Sequence, residues 1–213
     1  MRQYDRIKLF IKFLWVLSLG ILCWCCGPTH YQYTRIPETV RFPCRTVSVY
    51  LDRSFGEEDR LHIDDSIMKW NYAFNGYIVL KIVSFHSDFG PDEKTDVFSN
   101  HGLMIHKVNS NYPDIPRQKE QGLRTIAWTD MIDGHEIFLI RDRLDREDIF
   151  PVTLHELAHY FGAEHVEQDG LMNRQYTQDN YQCIDIDTIR QVARFNGIDQ
   201  NNMNHCRYDH DSY

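Results

Sequence analysis

"HELAHYFGAEH", residues 155–165, sets three histidines and two acids within eleven positions. On an α-helix His155 and His159 stand at i and i+4, one above the other on one face. Leu154, Leu157, Ala158 and Phe161, with Phe150 upstream, share a different face that suits packing on a sheet. The i, i+4 spacing lets two imidazoles reach one metal ion without bending the backbone. Glu156 is rotated by about 100° from the first histidine, so it can reach a water on that metal without being a ligand. Gly162 falls where the helix must stop and the chain must turn, because glycine accepts a positive φ. His165 follows and completes a set of three imidazoles.

Three neutral imidazoles leave one tetrahedral position for water, the arrangement of a catalytic rather than a structural zinc site. Zinc brings the pKa of such a water to about 7, and a carboxylate at Glu156 can take its proton. That chemistry hydrolyses a peptide bond. The competing reading is a helix that merely happens to be rich in histidine. His155, Glu156, His159, Gly162 and His165 at fixed offsets make that coincidence rare.

Upstream, "TVSVYL" (46–51) is rich in β-branched residues and predicts a first strand. Ser54 and Glu57 have capping-box spacing ahead of a helix whose Ile63, Ile67, Trp70 and Phe74 recur on one face. Asn75-Gly76 ends that helix. "YIVLKIVSF" (77–85) predicts a second strand, with too many apolar residues to leave one face in water, and "GLMIHKV" (102–108) a third. "RTIAWTD" (124–130) and "HEIFLIRD" (135–142) flank a turn at Asp133-Gly134 and predict a hairpin, whose first arm can serve as an edge strand for an extended substrate. The histidine helix is expected over about 148–161, with Pro151 in its first turn. A last helix over 185–196 carries Ile186, Ile189, Val192 and Ala193 and stops at Gly197. The expected class is α+β: a twisted mixed sheet of about five strands with an active-site helix, a backing helix and a C-terminal helix.

At the N-terminus a basic stretch precedes an uncharged run, "FLWVLSLGILCWCC" (13–26). It has the length of a signal-peptide core and is short for a membrane span, so residues 1–26 read as a signal peptide or a membrane or lipid anchor. Residues 27–44, with three prolines, read as a linker, and 45–213 as the catalytic domain. The first 26 residues carry net +3 against −8 for the whole chain, which leaves −11 on the rest. A body so acidic, with no basic stripe, excludes nucleic acid as a partner. The expected partner is a protein or peptide substrate; a membrane is met only through the N-terminal segment, and the chain is a monomer. In a secreted or extracytoplasmic setting Cys44, Cys183 and Cys206 allow one disulfide, with Cys183–Cys206 preferred.

"HELAHYFGAEH" followed by "VEQDGLMN" resembles the metzincin clan of zinc endopeptidases, whose motif is HExxHxxGxxH with a methionine downstream. "DIFPVTLHELAHYFGAEH" and "CIDIDTIRQVARFNG" resemble the corresponding helices of matrixins and their small bacterial relatives. The resemblance spans residues 45–198 and is specific for 148–173. It implies a zincin-like fold, one catalytic zinc on His155, His159 and His165, Glu156 as general base, and Met172 beneath the metal. Where matrixins have serine after the third histidine this chain has Val166, and Arg174 stands where some metzincins carry a tyrosine. Tyr176 can line the pocket or donate to an oxyanion, and pocket lining is favoured. Cys44 lacks the motif of an inhibitory propeptide cysteine and reads as structural or free. His86, Asp88, His101 and His106 lie wrongly for a second zinc. The carboxylates of "DFGPDEKTD" (88–96) and "DRLDRED" (142–148) lack the alternation of a calcium loop, so solvated acidic loops are favoured. Other readings are a zinc hydrolase acting on a non-peptide amide, or a non-catalytic binding protein stabilised by zinc.

Overall fold

A computed structural model describes residues 45–86, 102–116, 124–130, 135–177 and 182–206. The predicted signal, linker and Cys44, the turn at Asp133-Gly134, and Asp88 and His101 lie outside the described residues. None of the described helices is long and apolar enough to cross a membrane.

The strand with alternating valines becomes β1 (Arg45–Asp52), in which Val47, Val49 and Leu51 are wholly buried. It pairs in parallel with β2 (Ile78–His86) on one side and β3 (Leu103–Val108) on the other. β3 pairs in parallel with β5 (Glu136–Ile140), and β5 antiparallel with β4 (Ala127–Thr129). The result is an α+β arrangement with a five-stranded mixed sheet, ordered β2-β1-β3-β5-β4. The predicted hairpin arms are therefore β4 and β5, and β4 has one edge that no strand of the sheet covers.

α1 (Glu57–Phe74) and α2 (Arg146–Tyr160) pack on one face of the sheet and on each other. Ile63, Ile67, Trp70 and Phe74 are buried, as their spacing predicts. Trp70 Nε1 donates to Leu154 O at 3.0 Å and Ser66 Oγ to Phe150 O at 2.8 Å, so polar groups of α1 meet carbonyls of α2. Trp70, Phe74 and Phe161 form a tilted and edge-on ring cluster, with centroids 4.5 to 5.6 Å apart, the spacing at which aromatic pairs attract beyond their buried area. Buried Asp59 near the start of α1 faces Lys107 Nζ at 3.5 Å and Arg141 Nε at 3.3 Å, tying that helix to the ends of β3 and β5.

Three expectations need correction. Ser54 does not cap α1: Gly56 is the N-cap without a side-chain bond, while the Ser54 N–H turns back to Asp52 Oδ1 at 2.8 Å. α2 begins two residues earlier than expected, because Asp145 and Asp148 form a reciprocal capping box. Pro151 thus lies inside the helix rather than in its first turn, where it removes one backbone donor. β2 does have an open face, with Lys81 and Val83 exposed, because it is an edge strand and the helices cover only the side of Ile78 and Leu80.

α3 (Ile186–Asn196) begins one residue later than expected, because Asp185 is its N-cap and its side chain accepts from Thr188 N, and it ends at Gly197 with φ +68°. A disulfide joins Cys183 to Cys206, the preferred pairing, and fastens the entry of α3 to the segment that follows it.

Candidate metal centre

α2 carries His155 and His159 to its C-terminal end, and the way the helix stops delivers the third imidazole. Gly162 takes φ +89°, its N–H donates to His159 O at 2.9 Å, and Ala163 N–H donates to Ala158 O at 2.9 Å. These two bonds are a Schellman turn, which needs a left-handed residue. The turn also aims the Ala163 carbonyl at His159 Nδ1, 2.8 Å away. His165 then folds back over the helix end, where Val166 N–H donates to Met172 O at 2.9 Å.

The three side chains meet. His155 Nε2 and His159 Nε2 lie 3.2 and 3.1 Å from His165 Nε2. A tetrahedral ion with nitrogens at 2.0–2.1 Å would separate them by about 3.3 Å. Among the described residues these three form the cluster able to hold a metal ion, graded from buried His155 to exposed His165.

The proton positions support a cation. His155 Nδ1 faces Leu171 O at 2.5 Å and His159 Nδ1 faces Ala163 O. A carbonyl only accepts, so each Nδ1 bears the ring proton and each Nε2 of a neutral ring presents a lone pair. A proton on His165 Nε2 could serve only one of them. Burial, reinforced by His159, holds His155 well below the usual histidine range, and burial lowers His159 as well. Burial, with His159 and Arg174 nearby, pushes His165 down to about 4. All three rings are thus neutral at physiological pH, the form in which an imidazole can bind a metal.

Glu156 sits beside them, 5% exposed. Burial pushes its carboxyl up to about 7, opposed by a hydrogen bond from Thr129 Oγ1 to Oε2 at 2.7 Å. A cation close by would return it to the charged form. Both residues line a cleft of about 630 Å³, together with the three histidines, Ala127 and Trp128 of β4, and Arg174, Tyr176 and Thr177.

Other expected residues are placed as follows. Met172 is buried in the main core and its carbonyl accepts from the Val166 N–H just after His165. The Tyr176 hydroxyl donates to Asp148 Oδ1 at 2.6 Å, so this side chain is fastened to the start of α2 while it lines the cleft. His106 lies on the sheet face opposite α2, stacked on Phe138 and 3.0 Å from Glu136 Oε1. Of the acids in 142–148, Asp142 accepts from Ser110 N–H and Asp145 and Asp148 cap α2.

Three supporting residues escape sequence reasoning. Asp185 caps α3 and also accepts from Leu171 N–H at 2.9 Å, so it holds the residue whose carbonyl orients His155. Such partners orient metal ligands; a helix start near Asp185 was legible, its cap and its second bond were not. Phe195 covers Gly162, and Thr129 holds Glu156. Neither carries a signal beyond its polarity or bulk.

A scan against protein-family models finds no match for the chain, and a search of curated proteins finds none either.

Proposed function

We propose that the chain is an exported zinc-dependent endopeptidase of zincin-like fold, of the metzincin type and nearest to matrixins. One observation carries the reading: three imidazole Nε2 atoms converge beside a buried glutamate, in a cleft that is also lined by the edge strand β4. Zinc suits a site of three neutral imidazoles, although softness alone does not separate it from copper or nickel.

His155, His159 and His165 would hold the ion, with Leu171 O, Ala163 O and the Val166–Met172 bond orienting them. When bound, zinc supplies a Lewis acid that polarises the scissile carbonyl and makes water more acidic. An extended peptide adds to β4 through backbone hydrogen bonds. Glu156 accepts a proton from the attacking water and returns it to the leaving amine. The cleft wall at Val152 and Tyr176 meets the substrate side chain beyond the cleaved bond. Export follows from the basic and apolar N-terminal segment and fits a disulfide-bonded body.

The test is incubation of purified full chain with a mixed peptide library, with and without a chelator. Cleavage is expected, abolished by the chelator and restored by one equivalent of zinc. Glu156→Gln should keep zinc and lose cleavage by roughly 10²- to 10⁴-fold. Zinc-loaded protein that leaves every peptide intact would move the reading to a hydrolase of non-peptide amides or to a zinc-stabilised binding protein.

A further inference from the structure

Thr129 belongs to two parts of the cleft at once. It is the last residue of β4, pairs with Ile137 of β5, and is 9% exposed. Its Oγ1 lies 2.7 Å from Glu156 Oε2 and 3.0 Å from Glu156 O. Both partners are oxygens of one residue, and the hydroxyl has a single proton to give. With Glu156 ionised, the carboxylate contact is the charge-assisted and shorter one, so the proton points to Oε2. The neighbouring Trp128 faces the other side of the sheet, stacked on Phe138 at 4.4 Å. Strand alternation therefore directs Thr129, and not its neighbour, toward the base.

We infer that Thr129 is a positioning residue whose hydroxyl fixes Oε2 of Glu156 to strand β4 and leaves Oε1 as the oxygen that accepts and returns the proton. This rests on the endopeptidase reading above. No proton passes through Thr129: the one taken from water leaves on the amine, and the hydroxyl and carboxylate end as they began. Because β4 would also carry the substrate backbone, base and scissile bond share one rigid frame. An anchor on α2 alone would let the two drift apart, and misplacement by about 1 Å costs roughly 100-fold in rate.

The experiment compares full-length wild type, Thr129→Val and Thr129→Ser, each loaded with zinc. Metal content is read by elemental analysis, kcat and KM on a peptide that wild type cleaves, and the Glu156 carboxyl by crystallography. All three should hold one zinc. Thr129→Val should lose roughly 10- to 100-fold in kcat with KM within about twofold, and its Glu156 carboxyl should shift. Thr129→Ser should recover kcat to within about fivefold of wild type. Wild-type kcat in Thr129→Val, a loss confined to KM, or serine as poor as valine would overturn the proposal, as would an unmoved carboxyl. The crystallographic arm needs no turnover. A carboxyl that shifts only in Thr129→Val, in protein that cleaves no peptide, would retain the anchor and overturn the endopeptidase reading together with the proton role of Oε1.

Discussion

A Cβ added at Gly162 would stand 2.1 Å from Phe195 Cγ, on a backbone already at φ +89°. The two obstacles are separable. Positive φ costs a non-glycine residue about 1–3 kcal/mol, and pushing the largely exposed Phe195 ring aside costs about 1 kcal/mol more. Gly162→Ala should therefore lower the free energy of unfolding by about 2–4 kcal/mol in a denaturant titration. Adding Phe195→Ala should return the steric share and leave the backbone share. A double variant no better than the single one would show that the ring is not what excludes a side chain. The glycine was legible in the sequence as a turn residue. The ring over it was not, because Phe195 lies 33 positions away and is itself 70% exposed, so neither spacing nor burial pattern pairs them.

At the scale of elements, α3 reaches the candidate metal centre without adding a side chain to the histidine cluster. Asp185 accepts from Thr188 N and Oγ1 and from Leu171 N, and Leu171 O orients His155. Asp185→Ala removes a helix cap, worth about 1 kcal/mol, and releases the loop behind His155. Zinc affinity should fall by roughly 10- to 100-fold, the usual effect of losing an outer-shell partner, read by competition with a chromophoric chelator. Stability lost with zinc affinity unchanged would make Asp185 a cap and nothing more. Helix spans were legible from periodicity and caps. Where they failed, at Ser54 and Pro151, two signals competed locally: the capping box of Asp145 and Asp148 won over proline's preference for a first turn.

Over the whole molecule, acid should unfold the metal-free protein through its own site. The imidazoles of His155, His159 and His165 lie below the ordinary 6.5. Their stability is present above that value and is lost as pH falls, through about 4 for His165. Glu156, raised from 4.5 to about 7, acts in the opposite sense and stabilises as pH drops through that range. Three groups against one leave a net loss, so the melting temperature should fall between pH 6.5 and 4. Glu156→Gln should steepen that fall by removing the opposing group. A melting temperature flat across this range would contradict the lowered proton affinity of the triad. Bound zinc should flatten the upper part of the curve, since protons must then displace it.

The sequence by itself determined the three clustered histidines, the glutamate beside them, the turn that joins them and the alternation of strands with helices. Those features are local: helical spacing of 3.6 residues and the left-handed freedom of glycine operate within a few residues of His155. Only the tertiary structure decided that β2 is the other sheet edge, that Asp185 stands behind Leu171, and that Thr129 meets Glu156. Those pairings join residues brought together by strand order and helix packing. Their free energy comes from burying a shared core, which one-dimensional periodicity records as a set of apolar positions but not as a set of neighbours.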